Sequence, residues 1–146
     1  MSAPIFVDTN VLIYAIDCAD EKKQRAALQW REVLWKSRRG RIGFQVVQEF
    51  YVNVLRKWPD ARDSARAEVR DLMAWNPVVV DPPLIELAWR LQDRYRFSFW
   101  DALIVAAAKS VKCGYLLTED LQANQNLDGI LVVNPFSTEP ESLGGW

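Results

Sequence analysis

The chain has 146 residues, of which 50% are hydrophobic and 25% charged, and its formal net charge is −1. This length and composition predict one folded domain over residues 1–146 with a single sizeable core, and a loosely held tail at residues 137–146. The sequence has no histidine, so Ser-His-Asp and Cys-His machinery and the usual zinc sites are excluded, and carboxylates remain as the main catalytic groups.

Short apolar runs alternate with helical patterns along the chain. The predicted strands are 5–7, 42–44, 78–80, 115–117 and 130–133, and the predicted helices are 10–15, 21–39, 45–57, 60–75, 84–95 and 101–111. This alternation predicts an α/β fold, a three-layer α/β/α sandwich with a central parallel sheet of four or five strands. We expect Asp60 to cap the fourth helix, and Asp81, which precedes Pro82 and Pro83, to cap the fifth.

Four acids lie beside large apolar residues, where a carboxylate needs a cation or hydrogen bonds. They are Asp8 after Ile5-Phe6-Val7, Glu49 before Phe50-Tyr51, Asp101 after Phe99-Trp100, and Asp120 after Leu116-Leu117-Thr118-Glu119. The carboxyl edge of a parallel sheet is where open α/β folds place their active sites. Carboxylates without nitrogen or sulfur ligands favour hard cations, so the acids indicate a Mg²⁺ or Mn²⁺ site.

Two of these acids also have a purely structural interpretation. Asp8 and Asp101 each stand where they could cap the helix that follows, and both roles can hold together because a helix N-terminus keeps a carboxylate ionised. Glu49 lies inside an apolar helix and does not belong to a charged face. Thr9 is assigned a backbone role only.

The chain resembles the PIN-domain ribonucleases and, among them, the VapC-type toxins of bacterial toxin–antitoxin pairs. The resemblance covers nearly the whole chain and rests on Phe6-Val7-Asp8-Thr9-Asn10, Glu49, Phe97-Ser98-Phe99-Trp100-Asp101-Ala102, and Leu117-Thr118-Glu119-Asp120 followed by Val133-Asn134-Pro135-Phe136. It implies that Asp8, Glu49, Asp101 and Asp120 are catalytic and hold the metal, with Asn10 and Thr118 supplying supporting hydrogen bonds. The spacing of Thr118 and Asp120 matches the family pattern and favours Asp120 over Glu119.

The same resemblance implies a function and partners. The expected activity is that of a Mg²⁺-dependent endoribonuclease, with Mn²⁺ as a substitute, which cleaves RNA by metal-activated water. The expected role is that of the toxin of a type II toxin–antitoxin pair, and the expected partners are RNA, a cognate antitoxin and a second copy of the chain in a homodimer.

Residues 22–41 contain eight basic residues and one acid, a net charge of +7. A solvated helix face is one interpretation of this stretch, and contact with a polyanion is the other. On the second interpretation the candidate RNA-binding residues are Lys36, Arg38, Arg39 and Arg41. Among the seven tryptophans, those at helical positions are expected in the core or at a subunit interface, whereas Trp100 beside Asp101 is a candidate for base stacking.

The sequence also predicts where in the cell the protein is located. No apolar run approaches the roughly 20 residues of a membrane span, and the N-terminus does not resemble a signal peptide, so we expect a cytoplasmic protein without membrane contact. Cys18 and Cys113 are expected to be reduced thiols.

Two other functions remain open at the level of sequence. One is a phosphoaspartyl hydrolase or receiver-like domain with Asp8 as nucleophile; such hydrolases usually carry a second acid two residues later, where this chain has Asn10. The other is a catalytically silent PIN fold that only binds protein or RNA, against which the presence of all four acids argues.

Overall fold

A buried three-residue strand, β1 (Ile5–Val7), lies in the interior of the sheet. In the computed structural model, which describes residues 2–146, its three side chains are at most 1% exposed. β2 (Gly40–Arg41) and β3 (Tyr115–Leu117) pair with it in parallel on either side. A continuous apolar run suits this position because both faces of a central parallel strand are covered.

The sheet continues beyond β3 with a short hairpin. β5 (Ile130–Val133) pairs in parallel with β3, and β4 (Asn126–Leu127) pairs antiparallel with β5, which gives the order β2-β1-β3-β5-β4. The predicted α/β fold with a sheet of four or five strands is confirmed. The antiparallel edge strand was not predicted, because two residues show no hydrophobic period.

The helices pack on this sheet in pairs. Within residues 2–146 they are α1 (Thr9–Tyr14), α2 (Glu21–Ser37), α3 (Phe44–Lys57), α4 (Arg62–Met73), α5 (Pro82–Tyr95) and α6 (Phe99–Ser110), and a 3₁₀ turn follows at Pro140–Leu143. α5 packs along α6 and α3 along α4, while α1 contacts both α2 and α3. Every residue of α6 from Ala102 to Ala108 is buried, as its apolar sequence predicts.

Two of the predicted strands are wrong. The segment 42–44 lies past the end of β2, because Gly43 is the N-cap of α3 and Phe44 is its first residue. The run 78–80 forms a single bridge, between Gly43 and Val78. Val78 packs against the core, but Val79 and Val80 are 64% and 38% exposed, so the β propensity of the segment is not realised beyond this bridge.

One of the two predicted caps is confirmed. Asp81 Oδ1 accepts from Leu84 N at 3.0 Å, with prolines in the first turn of α5. The prediction for Asp60 is wrong, because Ala61 N donates to Trp58 O at 3.0 Å and this turn leaves Asp60 outside α4.

The C-terminal segment contacts α2. Trp30 is 1% exposed, and its Nε1 donates to Pro135 O and Thr138 O, each at 3.1 Å. Its ring lies 6.3 Å from that of Trp146 in an edge-to-face contact. How tightly residues 137–146 are held in solution stays a prediction.

Both cysteines are free thiols, Cys18 exposed and Cys113 buried. Burial raises the pKa of Cys113 to about 12, so this thiol is not reactive at neutral pH. None of the helices formed within residues 2–146 combines the length and the apolar character that crossing a membrane requires.

Candidate active site

Asp8 lies directly after β1, at the carboxyl edge of the sheet. Its backbone N donates to Leu117 O at 3.0 Å, so the chain stays in register with β3 to the end of the strand. The carboxylate accepts from Thr9 N at 2.7 Å and from the Thr118 hydroxyl at 2.8 Å. Asp8 therefore caps α1 with one oxygen and accepts from Thr118, the residue after β3, with the other. The cap interpretation is confirmed, and the metal-binding role stays a prediction.

Asn10 and Thr118 join Asp8 to Asp120. Thr118 is fully buried, and its hydroxyl accepts from Asp120 N at 3.1 Å and from Asn10 Nδ2 at 3.3 Å. Asn10 Nδ2 also donates to Asp120 Oδ2 at 3.0 Å. The two residues predicted to supply supporting hydrogen bonds thus connect two of the four predicted acids.

Glu49 reaches the same edge from α3. Its two oxygens accept from Thr9 Oγ1 at 2.7 Å and from Gln45 Nε2 at 2.9 Å. The predicted backbone-only role of Thr9 is therefore wrong, and Gln45 was not predicted at all. The spacing of Gln45 and Glu49 on one helix was the signal available, since residues four apart in a helix are neighbours.

Asp101 lies in the first turn of α6, and Ser98 is the N-cap of that helix. Ser98 Oγ accepts from Asp101 N at 3.1 Å, so the interpretation of Asp101 as a cap is wrong. Burial raises the pKa of Asp101, the Ser98 hydroxyl opposes this, and the charges of Asp120 and Glu49 add to it. The carboxylate of Asp101 therefore interacts electrostatically with both Asp120 and Glu49.

The four acids form an electrostatically coupled group. Burial raises the pKa of Asp8 to about 6; hydrogen bonds from Thr118 and Thr9 oppose the rise, and the charges of Asp120 and Glu49 add to it. Within residues 2–146 no lysine or arginine forms an ion pair with any of the four, although ion pairs occur elsewhere. Asp8 is buried without a counter-ion, which is costly for a carboxylate, so a cation at this group would be stabilising.

The donor chemistry fits a hard divalent cation. All four side chains offer oxygen ligands, which Mg²⁺ and Mn²⁺ prefer, and Asn10 Oδ1 is buried without a hydrogen-bond partner. Over residues 2–146, however, no three acidic side chains converge closely enough to form a ready-made ligand set. Like charges repel, so acids of this kind would move closer together only with a cation between them.

Glu119 belongs to a different cluster from Asp120. Lys23 Nζ lies 2.8 Å from Glu119 Oε2 and 4.7 Å from the centre of the Tyr14 ring. This ion pair holds Glu119 toward α2, while Asp120 faces Asn10. The choice of Asp120 over Glu119 as the site acid stays a prediction.

The structure does not bring the predicted RNA-binding residues to the acids. Arg38 and Arg39 precede β2, and Arg39 O accepts from Ile5 N, at the opposite end of β1 from Asp8. Arg39 is buried and donates to Ala3 O and Gly144 O. Lys36 pairs with Glu32 in a largely exposed contact, and Arg41 donates to Asn76 O at 3.4 Å.

Comparison with known proteins identifies the family. The sequence model of the PIN domain matches residues 5–126. The chain belongs to the PIN domain family. A search of curated protein sequences gives no significant match.

Several solved structures share the fold of this PIN domain. A toxin–antitoxin complex from Klebsiella pneumoniae is 20% identical, with a TM-score of 0.64, over 91% of this chain and 98% of the other. FitAB bound to an IR36 DNA fragment is 17% identical, with a TM-score of 0.72, over 94% and 99%. VapC20 from Mycobacterium tuberculosis, described as a toxin that cleaves the sarcin-ricin loop, is 23% identical, with a TM-score of 0.60, over 77% and 86%. At these identities the likeness shows the fold.

Proposed function

We propose that this PIN domain is a Mg²⁺-dependent endoribonuclease. The observation that carries the proposal is the coupling of Asp8, Glu49, Asp101 and Asp120 at one edge of the sheet without a basic partner. A phosphodiester is an anion and would be repelled by these acids alone, so a divalent cation is needed between enzyme and substrate. Mn²⁺, which prefers the same ligands, would substitute for Mg²⁺.

Each residue of the group has a distinct role in this proposal. The four carboxylates would hold the cation, which supplies an activated water and stabilises the leaving 3′-oxygen when bound. Thr118 and Asn10 orient Asp8 and Asp120 through the hydrogen bonds described above. Thr9 and Gln45 fix Glu49 with one hydrogen bond to each oxygen, which limits the reorganisation needed for binding.

We further propose that the protein is the toxin of a type II toxin–antitoxin pair. The support is the family membership together with a fold shared with proteins described as toxins or as toxin–antitoxin complexes. The proposed partners are RNA, an antitoxin and a second copy of the chain in a cytoplasmic homodimer. Trp35, which is 53% exposed, offers apolar area for such an interface.

The basic residues outside the acid group are proposed as secondary RNA contacts. Lys36, Arg38 and Arg41 keep some exposure and lie near one another around β2. Arg39 is not suited to this role, because its guanidinium already donates to two carbonyls and lies 4.3 Å from the Trp146 ring.

Purified protein, a structured RNA and Mg²⁺ provide the test of activity. We expect cleavage at few positions, and we expect EDTA or Asp101→Asn to abolish it while circular dichroism shows an intact fold. Asp60→Asn, an exposed acid outside the helices, is the matched control and should cleave normally. Full cleavage by folded Asp101→Asn protein would falsify the mechanism.

Two other outcomes correspond to the alternative functions. Metal-dependent phosphatase activity without RNA cleavage would favour a phosphoaspartyl hydrolase. Neither activity over a broad panel of RNAs would favour a silent binding module. Expression alone in a bacterial host should arrest growth, and Asp101→Asn should relieve the arrest.

A further inference from the structure

Trp100 is 63% exposed, more than Trp35, Trp89 or Trp146. A large aromatic side chain in water forgoes the stabilisation that burial would provide. Its neighbour in the chain is Asp101, one of the four coupled acids. An exposed indole at this position is therefore a feature that the fold itself does not explain.

The backbone of Trp100 is tied to the acid group. Gln45 Nε2 donates to Trp100 O at 3.3 Å, and the same nitrogen donates to Glu49 Oε1 at 2.9 Å. Trp100 is also the second residue of α6, between the N-cap Ser98 and Asp101. The start of the indole side chain thus has a fixed position relative to two acids that come from different helices.

The indole ring is supported from one side and open on another. Phe99 packs against the core, and its ring lies 5.4 Å from that of Trp100 at an interplanar angle of 68°. Phe99 is the sole ring in residues 2–146 that packs against Trp100. An edge-to-face contact occupies one ring face at most, so at least one face of the indole stays free.

The charge around the site narrows what this face can bind. The nearby acids carry no basic partner, so an acidic ligand would gain nothing there except through a cation. A nucleobase next to a phosphodiester held at the acids is uncharged and presents a flat π surface. Stacking on an aromatic side chain holds such a base without requiring a particular sequence.

We propose that Trp100 is a stacking platform for an unpaired RNA base adjacent to the phosphodiester that is cleaved. This inference rests on the proposed ribonuclease function and assigns to it a substrate feature, a single-stranded base beside the cleavage position. The stack would set the position of the phosphodiester over the acids, while leaving the chemistry to the carboxylates.

Abasic scanning combined with substitution of Trp100 tests the proposal. A short single-stranded RNA that the wild-type protein cleaves once is made with one abasic nucleotide at each position in turn. In the wild type, an abasic nucleotide next to the cleavage position should lower kcat/KM roughly 5- to 150-fold. In Trp100→Ala the intact RNA should already show that loss, and the same abasic nucleotide should cause no further loss.

Two more variants separate ring stacking from apolar volume. Trp100→Phe should recover most of the activity, whereas Trp100→Leu should behave like Trp100→Ala. Trp89→Ala, which removes a tryptophan with 53% exposure from α5, is the matched control and should show the full abasic penalty.

The results that would overturn the inference are distinct from those that would overturn the ribonuclease. If the wild type cleaves RNA and the abasic penalty is the same in Trp100→Ala, Trp100 does not stack on a base. If Trp100→Ala changes the oligomeric state in light scattering while the abasic penalty is retained, the indole belongs to a contact between copies. If the wild type cleaves no RNA with Mg²⁺, the proposed function itself fails.

Discussion

Thr9 Oγ1 donates a hydrogen bond of 2.7 Å to Glu49 Oε2, across 40 residues of sequence. This contact joins the first turn of α1 to the middle of α3, and so fixes a carboxylate from one helix beside Asp8, which caps the other. The Thr9 hydroxyl thus helps to hold Glu49, which lies on α3, near Asp8, which lies at the start of α1.

Replacement of Thr9 by valine removes this donor with almost no change in volume. We expect the free energy of unfolding to fall by about 1–3 kcal/mol, since a partly buried carboxylate loses a hydrogen bond. RNA cleavage should fall as well, because Glu49 is no longer held. Urea denaturation and initial cleavage rates measure the two effects. Thr138→Val is the control, because Thr138 contributes its backbone carbonyl to Trp30; an equal loss in both variants would contradict a special role for Thr9.

The raised pKa of Asp8, about 6, predicts a pH dependence of stability. Between the ordinary value of 3.8 and 6, the folded protein binds more protons than the unfolded chain, so the contribution of Asp8 to stability falls as pH rises through this window. In EDTA, Asp8→Asn should therefore gain stability relative to the wild type by about 2–3 kcal/mol between pH 4 and pH 7.5. Urea titrations at several pH values measure this difference. A difference that stays constant with pH would show that Asp8 is not desolvated in the folded protein.

Metal binding should offset the stability that the Asp8→Asn substitution gains in EDTA. If only the folded state binds the metal, Mg²⁺ or Mn²⁺ at 100 times its Kd raises the free energy of unfolding by about 2.7 kcal/mol. This corresponds to a rise of several degrees in Tm. Asp8→Asn and Asp101→Asn should reduce that shift, and Asp60→Asn should retain it. Differential scanning fluorimetry with and without metal gives the values. An undiminished shift in both site variants would place the metal elsewhere.

The basic residues around β2 divide into two groups by their surroundings. Neutralising Lys36, Arg38 and Arg41 with glutamine should weaken RNA binding and flatten its dependence on salt, by about 0.7–0.9 in log–log slope for each phosphate that the protein no longer neutralises. Arg39→Gln should instead lower Tm, because it removes buried hydrogen bonds to Ala3 O and Gly144 O, and should leave the slope unchanged. Fluorescence anisotropy at several salt concentrations in EDTA separates the two. A slope unaffected by the triple substitution would assign that stretch to solvation or partner binding.

Part of this architecture follows from local sequence alone. β1 and the position of the acid behind it were predictable because Ile5-Phe6-Val7 is a continuous apolar run, and polar residues that follow such a strand lie at the carboxyl edge of the sheet. The burial of α6 followed in the same way from Ala102 to Ala108. The absence of histidine by itself restricts the candidate chemistry to carboxylates.

Other features depended on partners far away in the chain. The segment 42–44 has strand-like composition, yet Gly43 and Phe44 begin α3, and Val78 supplies only one bridge. Arg39 has the sequence setting of a surface cation, but the C-terminal segment covers it through Gly144 and Trp146. Local propensity does not encode such contacts, because their free energy comes from atoms that only the folded chain brings together.

In the candidate site, too, some features were predictable from local sequence and others depended on contacts between distant residues. The sequence singled out Asp8, Glu49, Asp101 and Asp120 by their apolar neighbours and by the family resemblance. Only the tertiary structure showed that Lys23 holds Glu119 away from Asp120 and that Gln45 connects Glu49 to the backbone of Trp100. Strand pairing is specified by hydrophobic pattern over several residues, whereas a side-chain hydrogen bond depends on the position of single atoms. The sequence therefore determined which acids are candidates for the site, and the tertiary structure decided what each of them contacts.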